Sequence, residues 1–271
     1  MIACLPMYER EETQGAHDRF WALIRRALPG APDALTRGGD LWSFWRSADL
    51  LLGQTCGLPY RADLHRRVFL VGTPDYGLPG CPAGHYRSVL VCRADMAPCH
   101  DVTDLLQQRI AVNDAMSQSG WAVLTDIAKA RGLAIAPDAR ETLTGGHGQG
   151  RAEHGKLGPV LFTGSHRASA RAVQQGQADI AALDAVTWAL IKRHDRFATG
   201  LRVLHQSDPT PGLPLITARH DLVPQLRKAV GAAISALSPQ DRSALMIEAL
   251  VDIPRHAYLS QPLPPNPADP A

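Results

Sequence analysis

Two short apolar runs, Ile110-Ala111-Val112 and Val160-Leu161-Phe162, each break directly into small polar residues and a glycine before a helix-like pattern begins. The first continues Asn113-Asp114-Ala115-Met116-Ser117-Gln118-Ser119-Gly120-Trp121, the second Thr163-Gly164-Ser165-His166-Arg167-Ala168-Ser169. Strand, sharp turn and helix in immediate succession restrict the chain to an α/β arrangement in which helices carry it from one strand to the next. The same succession has a chemical consequence. A helix start exposes backbone N–H groups without intrahelical partners and carries partial positive charge, so two such starts suit a small oxyanion.

The rest of the chain repeats the alternation. Phe20, Trp21, Ile24, Ala27 and Leu28 recur at helical spacing until Pro29-Gly30 stops them, and Asp40 stands where it can cap a helix carrying Leu41, Trp42, Phe44 and Trp45. Asp49 to Gln54, Val68 to Val71 and Ser88 to Cys92 read as strands. After the helix expected over about 120–130, further helices are expected over about 168–175 and 185–193, with a strand at Asp179 to Leu183 between them. Leu222, Leu226, Ala229, Val230, Ala233, Ile234 and Leu237 mark the longest amphipathic helix. Ser238-Pro239 then predicts the cap and first turn of a last helix near Arg242 to Leu250. This alternation implies mainly parallel sheets. The glycine-rich stretch 144–156 predicts a flexible insertion, and 261–271, with five prolines, a disordered or surface-draped tail.

Composition closes off several functions. A net charge of +2 offers no basic field for nucleic acid, and no apolar run is long enough to span a bilayer. The chain starts with a core strand expected over Met1 to Tyr8 and carries no leader-like segment, which predicts a cytoplasmic protein, or a periplasmic one if the chain has been trimmed. Five cysteines, an odd number, make a poor disulfide framework. The spacing of Cys81, His85, Cys92, Cys99 and His100 matches no zinc pattern, so neither a metal nor another cofactor is expected.

Four motifs in order resemble one family: Ala111-Val112-Asn113-Asp114 with Ser117-Gln118-Ser119-Gly120, Gly164-Ser165-His166 with Ala170-Arg171-Ala172-Val173, Gly176 to Asp184, and Pro211-Gly212-Leu213-Pro214. Over roughly residues 50–220 the chain is similar to the phosphate/phosphite/phosphonate-binding proteins of ABC transporters. That resemblance implies an α/β fold of the type II periplasmic-binding-protein class, with two α/β lobes, two hinge crossings and a ligand cleft. Residues 1–95 with 203–260 would form lobe one and 96–202 lobe two. It also implies a small anionic ligand, bound either by a transporter component with an ABC permease as partner or by a cytoplasmic sensor of the same fold, without nucleic acid or membrane insertion.

The resemblance assigns Ser117, Gln118, Ser119 and the Gly120 N–H to an anion-binding turn, with Gln118 where the family often has a second hydroxyl. His166 matches the family histidine that donates a ring N–H to the oxyanion, against a capping or core role, and N-capping alone would explain Ser165. Lobe one would add Thr55, Cys56 and Gly57 at a strand end, together with Tyr8, Tyr60 and Tyr86, tyrosines that could equally be core residues. Asp184 either accepts from the ligand or caps the next helix. With Leu213 in the return turn and Val186 two beyond Asp184, a plain oxyanion or a different carboxylate-bearing molecule fits better than an aminoalkylphosphonate. The competing function is a cytoplasmic enzyme on the same fold, performing elimination or ring opening on a small carboxylate as in futalosine-route menaquinone synthesis. His166, Asp184 and Cys56 would be its candidate acid–base or nucleophilic groups. With no Ser-His-Asp order, HExxH or P-loop present, binding is favoured over catalysis.

Overall fold

The structure is a computed structural model that describes residues 1–97, 101–135 and 155–265. Along the chain the strands are β1 (Ile2–Cys4), β2 (Leu50–Gln54), β3 (Phe69–Asp75), β4 (His85–Tyr86), β5 (Ser88–Arg93), β6 (Ile110–Val112), β7 (Val160–Phe162), β8 (Ile180–Asp184), β9 (Leu201–Gln206), β10 (Thr210–Pro211), β11 (Leu215–Thr217) and β12 (Ala249–Val251). The chain divides into two compact α/β units, one of Met1–Tyr86 with Thr210–Pro262 and one of Arg87–Pro209 with Leu263–Ala271. The expected division at 202/203 cuts through β9, and that at 95/96 falls just past β5 and would put β5 in the other lobe. β5 and β9 are hydrogen-bonded to each other, and β5 to β8, which holds all three in one sheet.

The first unit is built on a five-stranded sheet in the order β1-β2-β11-β3-β12. Only β1 and β2 run parallel; β11 and β12 return antiparallel to their neighbours. Helices Gln14–Arg25 and Val223–Ser235 bury Phe20, Trp21, Ile24, Leu226 and Val230. A further core cluster joins Trp45, Leu50, Tyr60, Leu64, Ile216 and Tyr258. Asp40 caps its helix, accepting from Trp42 N at 3.2 Å and Ser43 N at 3.0 Å. Ser238 likewise caps the helix Pro239–Leu245 through Asp241 N, but that helix does not run on to Leu250. Met246 turns left-handed at φ 55°, and Ala249–Val251 continues as an edge strand on β3.

A short helix after it, Arg255–Leu259, brings Tyr258 under the sheet, where its hydroxyl meets Thr73 Oγ1 at 2.6 Å and donates to the Gly212 carbonyl at 3.0 Å. Tyr258→Phe strands both partners in a dry interior. It is expected to destabilise the protein by about 1–3 kcal/mol in urea unfolding, whereas a neutral substitution would show that neither bond contributes.

The second unit's sheet runs β7-β6-β8-β5-β9. β6 is parallel to both β7 and β8, while β5 is antiparallel to β8 and β9, so this sheet too is mixed rather than mainly parallel. Successive side chains alternate across it as a pleated strand requires. Leu90, Cys92, Ile110, Val112, Ile180 and Ala182 pack on one face with Trp121, Leu124 and Ala128. Val89, Val91, Ala111, Ala181 and Leu183 pack on the other with Ala170, Val173, Trp188 and Ile191. The helices that follow β6 and β7 therefore lie on opposite faces. Arg109 clamps Asp179 with Nε at 2.9 Å and Nη2 at 2.7 Å, tying the start of β6 to the turn before β8. At Gly158, a Cβ would fall 1.8 Å from the Gln108 carbonyl, so the chain can enter β7 here only as glycine.

The expected insertion over 144–156 falls mainly on residues 136–154, outside the described residues, as do Cys99 and His100. Of the proline-rich tail, 261–265 is described and is anchored: Pro262 accepts from Arg61 Nη2 at 2.7 Å, and Pro265 from Trp121 Nε1 at 2.7 Å.

Candidate functional site

β6 is the switch point of the second unit's sheet. From it the chain crosses to β7 on one side, then returns over the opposite face to β8 on the other. In open α/β sheets the space beyond the carboxyl ends of strands at such a reversal is where ligands bind, because helix starts converge there. Here both turns leave the same sheet end and are stitched together. Thr163 N donates to the Val112 carbonyl and Gly164 N to the Asn113 carbonyl, each at 2.9 Å.

Beyond Val112 a tight turn forms, with Met116 N on Asp114 Oδ1 at 2.7 Å and Ser117 N on the Asp114 carbonyl at 3.2 Å. Ser117 is the N-cap of the helix that follows, its Oγ accepting from Gly120 N at 3.0 Å. The Gly120 N–H expected to face the ligand is thus taken by Ser117, whose own hydroxyl proton stays available to donate. The first turn of this helix, Gln118–Ala122, is a π turn before the α-helix Val123–Ala130. Such wide turns are rare and gather at functional sites. Ser117, Gln118, Ser119 and Gly120 are all buried.

Gly120 is required by packing. A Cβ on it would lie 2.3 Å from Asn113 Oδ1 and 2.9 Å from Val112 Cγ1. That same Asn113 Oδ1 is buried without a hydrogen-bond partner. Asn113 thus belongs to this turn through packing, and it stands within the Ala111-Val112-Asn113-Asp114 motif that carries the resemblance.

The second turn places Ser165 as N-cap of helix His166–Gln174, accepting from Ala168 N at 3.1 Å, so capping accounts for it and its side chain is exposed. Thr163 Oγ1 and Ser169 Oγ lie 2.6 Å apart and brace the turn from behind. His166 Nε2 sits 2.9 Å from Ser119 Oγ, so the histidine meets the first helix start. Burial pushes its ring down to about 4, and the nearby Ala182 carbonyl offsets only part of that, leaving the imidazole neutral at pH 7.

A histidine whose folded pKa is depressed contributes stability in full above its unfolded value near 6.5, and loses it as pH falls toward 4, where the unfolded chain binds the extra proton. His166→Gln should therefore flatten the loss of melting temperature between pH 6.5 and 4.5 relative to wild type. His17 and His205, depressed by burial in the same direction, remain in both proteins. Parallel wild-type and variant curves would contradict the assignment.

Asp184 ends β8 and caps helix Ala185–His194, accepting from Val186 N at 2.7 Å and Thr187 N at 2.9 Å. In the first unit, Thr55 follows β2 with its Oγ1 fully buried and without a hydrogen-bond partner. Cys56 is the N-cap residue of the short helix Gly57–Ala62, contributes no side-chain cap, and is half-buried. Tyr86 is buried and pairs with Thr210 through β4 and β10. Tyr8 packs edge-on against Tyr76 at 4.8 Å. Tyr60 belongs to the core cluster around Tyr258, with ring centroids 5.4 Å apart. Among the described residues, no group of three His, Cys, Asp or Glu side chains could hold a metal ion, and no helix is long and apolar enough to cross a membrane.

The model of a family described as "ABC transporter, phosphonate, periplasmic substrate-binding protein" matches residues 52–256. No curated protein sequence matches the chain. Among solved structures, a binding-protein component of an ABC phosphonate transporter from Pseudomonas aeruginosa superposes with a TM-score of 0.70 at 15% identity, covering 96% of this chain and 83% of that one. PhnD1 from Prochlorococcus marinus, in complex with methylphosphonate, gives 0.65 at 14% identity over 96% and 94%. A Xanthomonas citri protein, solved with chloride bound, gives 0.65 at 16% over 94% and 93%. These likenesses establish the type II periplasmic-binding-protein fold.

Proposed function

The chain belongs to the phosphonate periplasmic substrate-binding family of ABC transporters, and from that premise we propose that it binds a small, uncharged-tail phosphonate or a similar oxyanion at the paired helix starts after β6 and β7. The observation that carries this reading is the 2.9 Å hydrogen bond between Ser119 Oγ and His166 Nε2 across those starts. It brings two hydroxyls, a neutral imidazole and two positive helix ends to the carboxyl end of one strand. With Nε2 protonated, His166 donates to Ser119 Oγ and leaves the serine proton for a ligand oxygen. Ser117 donates beside it. The group carries no full positive charge, so it holds an anion through dipoles and hydrogen bonds that also let it leave.

Within the first unit, taken by itself, Thr55 with its unpartnered hydroxyl is the residue we assign to ligand binding, with Cys56 and Tyr86. Tyr8 and Tyr60 we assign to packing. Because Asp184 already serves two backbone N–H groups of its own helix, the reading favours a ligand without an amine. Delivery to a permease from outside the membrane fits a periplasmic family better than the cytoplasmic setting expected from the start of the chain.

Calorimetric titration with methylphosphonate, phosphite, phosphate and 2-aminoethylphosphonate tests the reading. Methylphosphonate or phosphite should bind one-to-one, more tightly than the amine-bearing compound, and be recovered unchanged. Tightest binding of 2-aminoethylphosphonate would overturn the ligand assignment, and consumption of a ligand would favour an enzyme.

A further inference from the structure

The first unit carries a hollow of about 270 Å³ that the phosphonate reading does not use. Tyr60, His65, Arg66, Val68, Leu70 and Arg255 line it, with Phe69 at its rim. Its charge is unusual for this unit. Arg19, Arg37, Arg46, Arg227 and Arg242 each rest on a carboxylate. Arg66 and Arg255, by contrast, have neither an ion pair nor a side-chain hydrogen bond among the described residues, and they face one cavity. A third polar group joins them, since His65 Nδ1 is buried there without a partner. The remaining wall is apolar: half-buried Leu70, the nearly covered Val68 and Tyr60, and Phe69, which is 41% exposed and packs its ring against His220 at 4.6 Å.

Two unpaired guanidiniums select a carboxylate or phosphate, which they can grip bidentately, and the apolar wall selects a body that leaves water willingly. We propose that this hollow is a second ligand site, taking a small carboxylate or phosphate carried on a single flat ring. The anionic group would lie between Arg66 and Arg255 and the ring against Leu70 and Phe69, with His65 supplying a hydrogen bond. The size fits one ring, being at the small end of ligand pockets.

Amide chemical shifts of the isotope-labelled full chain, saturated with methylphosphonate, provide the test with phenyl phosphate and benzoate as probes. Saturable shifts are expected at residues 65–70 and 255, and Arg66→Gln with Arg255→Gln should weaken them at least tenfold while leaving methylphosphonate binding unchanged. Silence at these amides up to about 5 mM probe, or equal shifts in the double variant, would overturn the site. Inorganic phosphate binding there as tightly as phenyl phosphate would overturn the requirement for a ring. Because methylphosphonate affinity is read separately, failure here and failure of the phosphonate reading are distinguishable.

Discussion

Replacing Ser117 and Ser119 together with alanine is expected to weaken methylphosphonate binding by about two to four orders of magnitude and leave the chain folded. Each hydroxyl would donate to an anionic oxygen, and hydrogen bonds to charged groups contribute about 1.5–3 kcal/mol each, against 1.4 kcal/mol per tenfold in affinity. The two serines fail in different ways. Ser117 also caps its helix through Gly120 N, so its loss should cost about 1 kcal/mol of stability. Ser119 holds no backbone group in the hydrogen-bond set described above; its partner is His166, so Ser119→Ala alone should lower affinity with little change in melting. Calorimetry and thermal denaturation of the two single variants and the double variant separate these effects. Wild-type affinity in the double variant would mean that the anion is held elsewhere.

Gly120→Ala is expected to damage the fold of the second unit and its candidate ligand turn together. Its Cβ would meet Asn113 Oδ1 at 2.3 Å and Val112 Cγ1 at 2.9 Å, so either the turn or the end of β6 must move. Overpacking of this kind costs about 1–3 kcal/mol, and the movement falls on the very residues assigned to the ligand. Gly164→Ala is the natural control: its φ of +84° makes alanine strained, but nothing lies within 4 Å of the added carbon. About 1 kcal/mol is expected there, with binding largely kept. Urea unfolding and methylphosphonate titration of both variants check the contrast. Gly120→Ala with wild-type stability and affinity would contradict the packing described for the turn.

What the sequence disclosed was local. Asp40, Ser117, Ser165 and Ser238 each precede an apolar periodic run, and each caps the helix that follows. The strand–turn–helix pairs around residues 110–121 and 160–169 were legible for the same reason: a strand, a cap and a helix are written within a dozen residues. Pairing between distant strands was not. β5 meets β8 some ninety residues later and β9 beyond it, antiparallel, and no turn residue announces either partner. The unit boundary therefore falls at 86/87 rather than 95/96. The apolar residues Ile247, Leu250 and Val251 fit a helix as well as a strand; only the left-handed Met246 and the free edge of β3 decide for the strand.

At the site, Ser117, Ser119 and His166 could be named from their motifs, but the contact between Ser119 and His166 depends on two turns meeting across the sheet end. Whether Asp184 caps or binds could not be read at all, since both uses need the same carboxylate at the same strand end. The packing of Asn113 against Gly120 was hidden because it depends on the absence of a side chain at Gly120.

Hydrogen–deuterium exchange of the whole protein with and without methylphosphonate tests the central claim most directly. The account predicts that the ligand slows exchange most in the segments 113–123 and 163–170, where the two helix starts meet. Protection confined to other segments, with these two unchanged under saturating ligand, would contradict it.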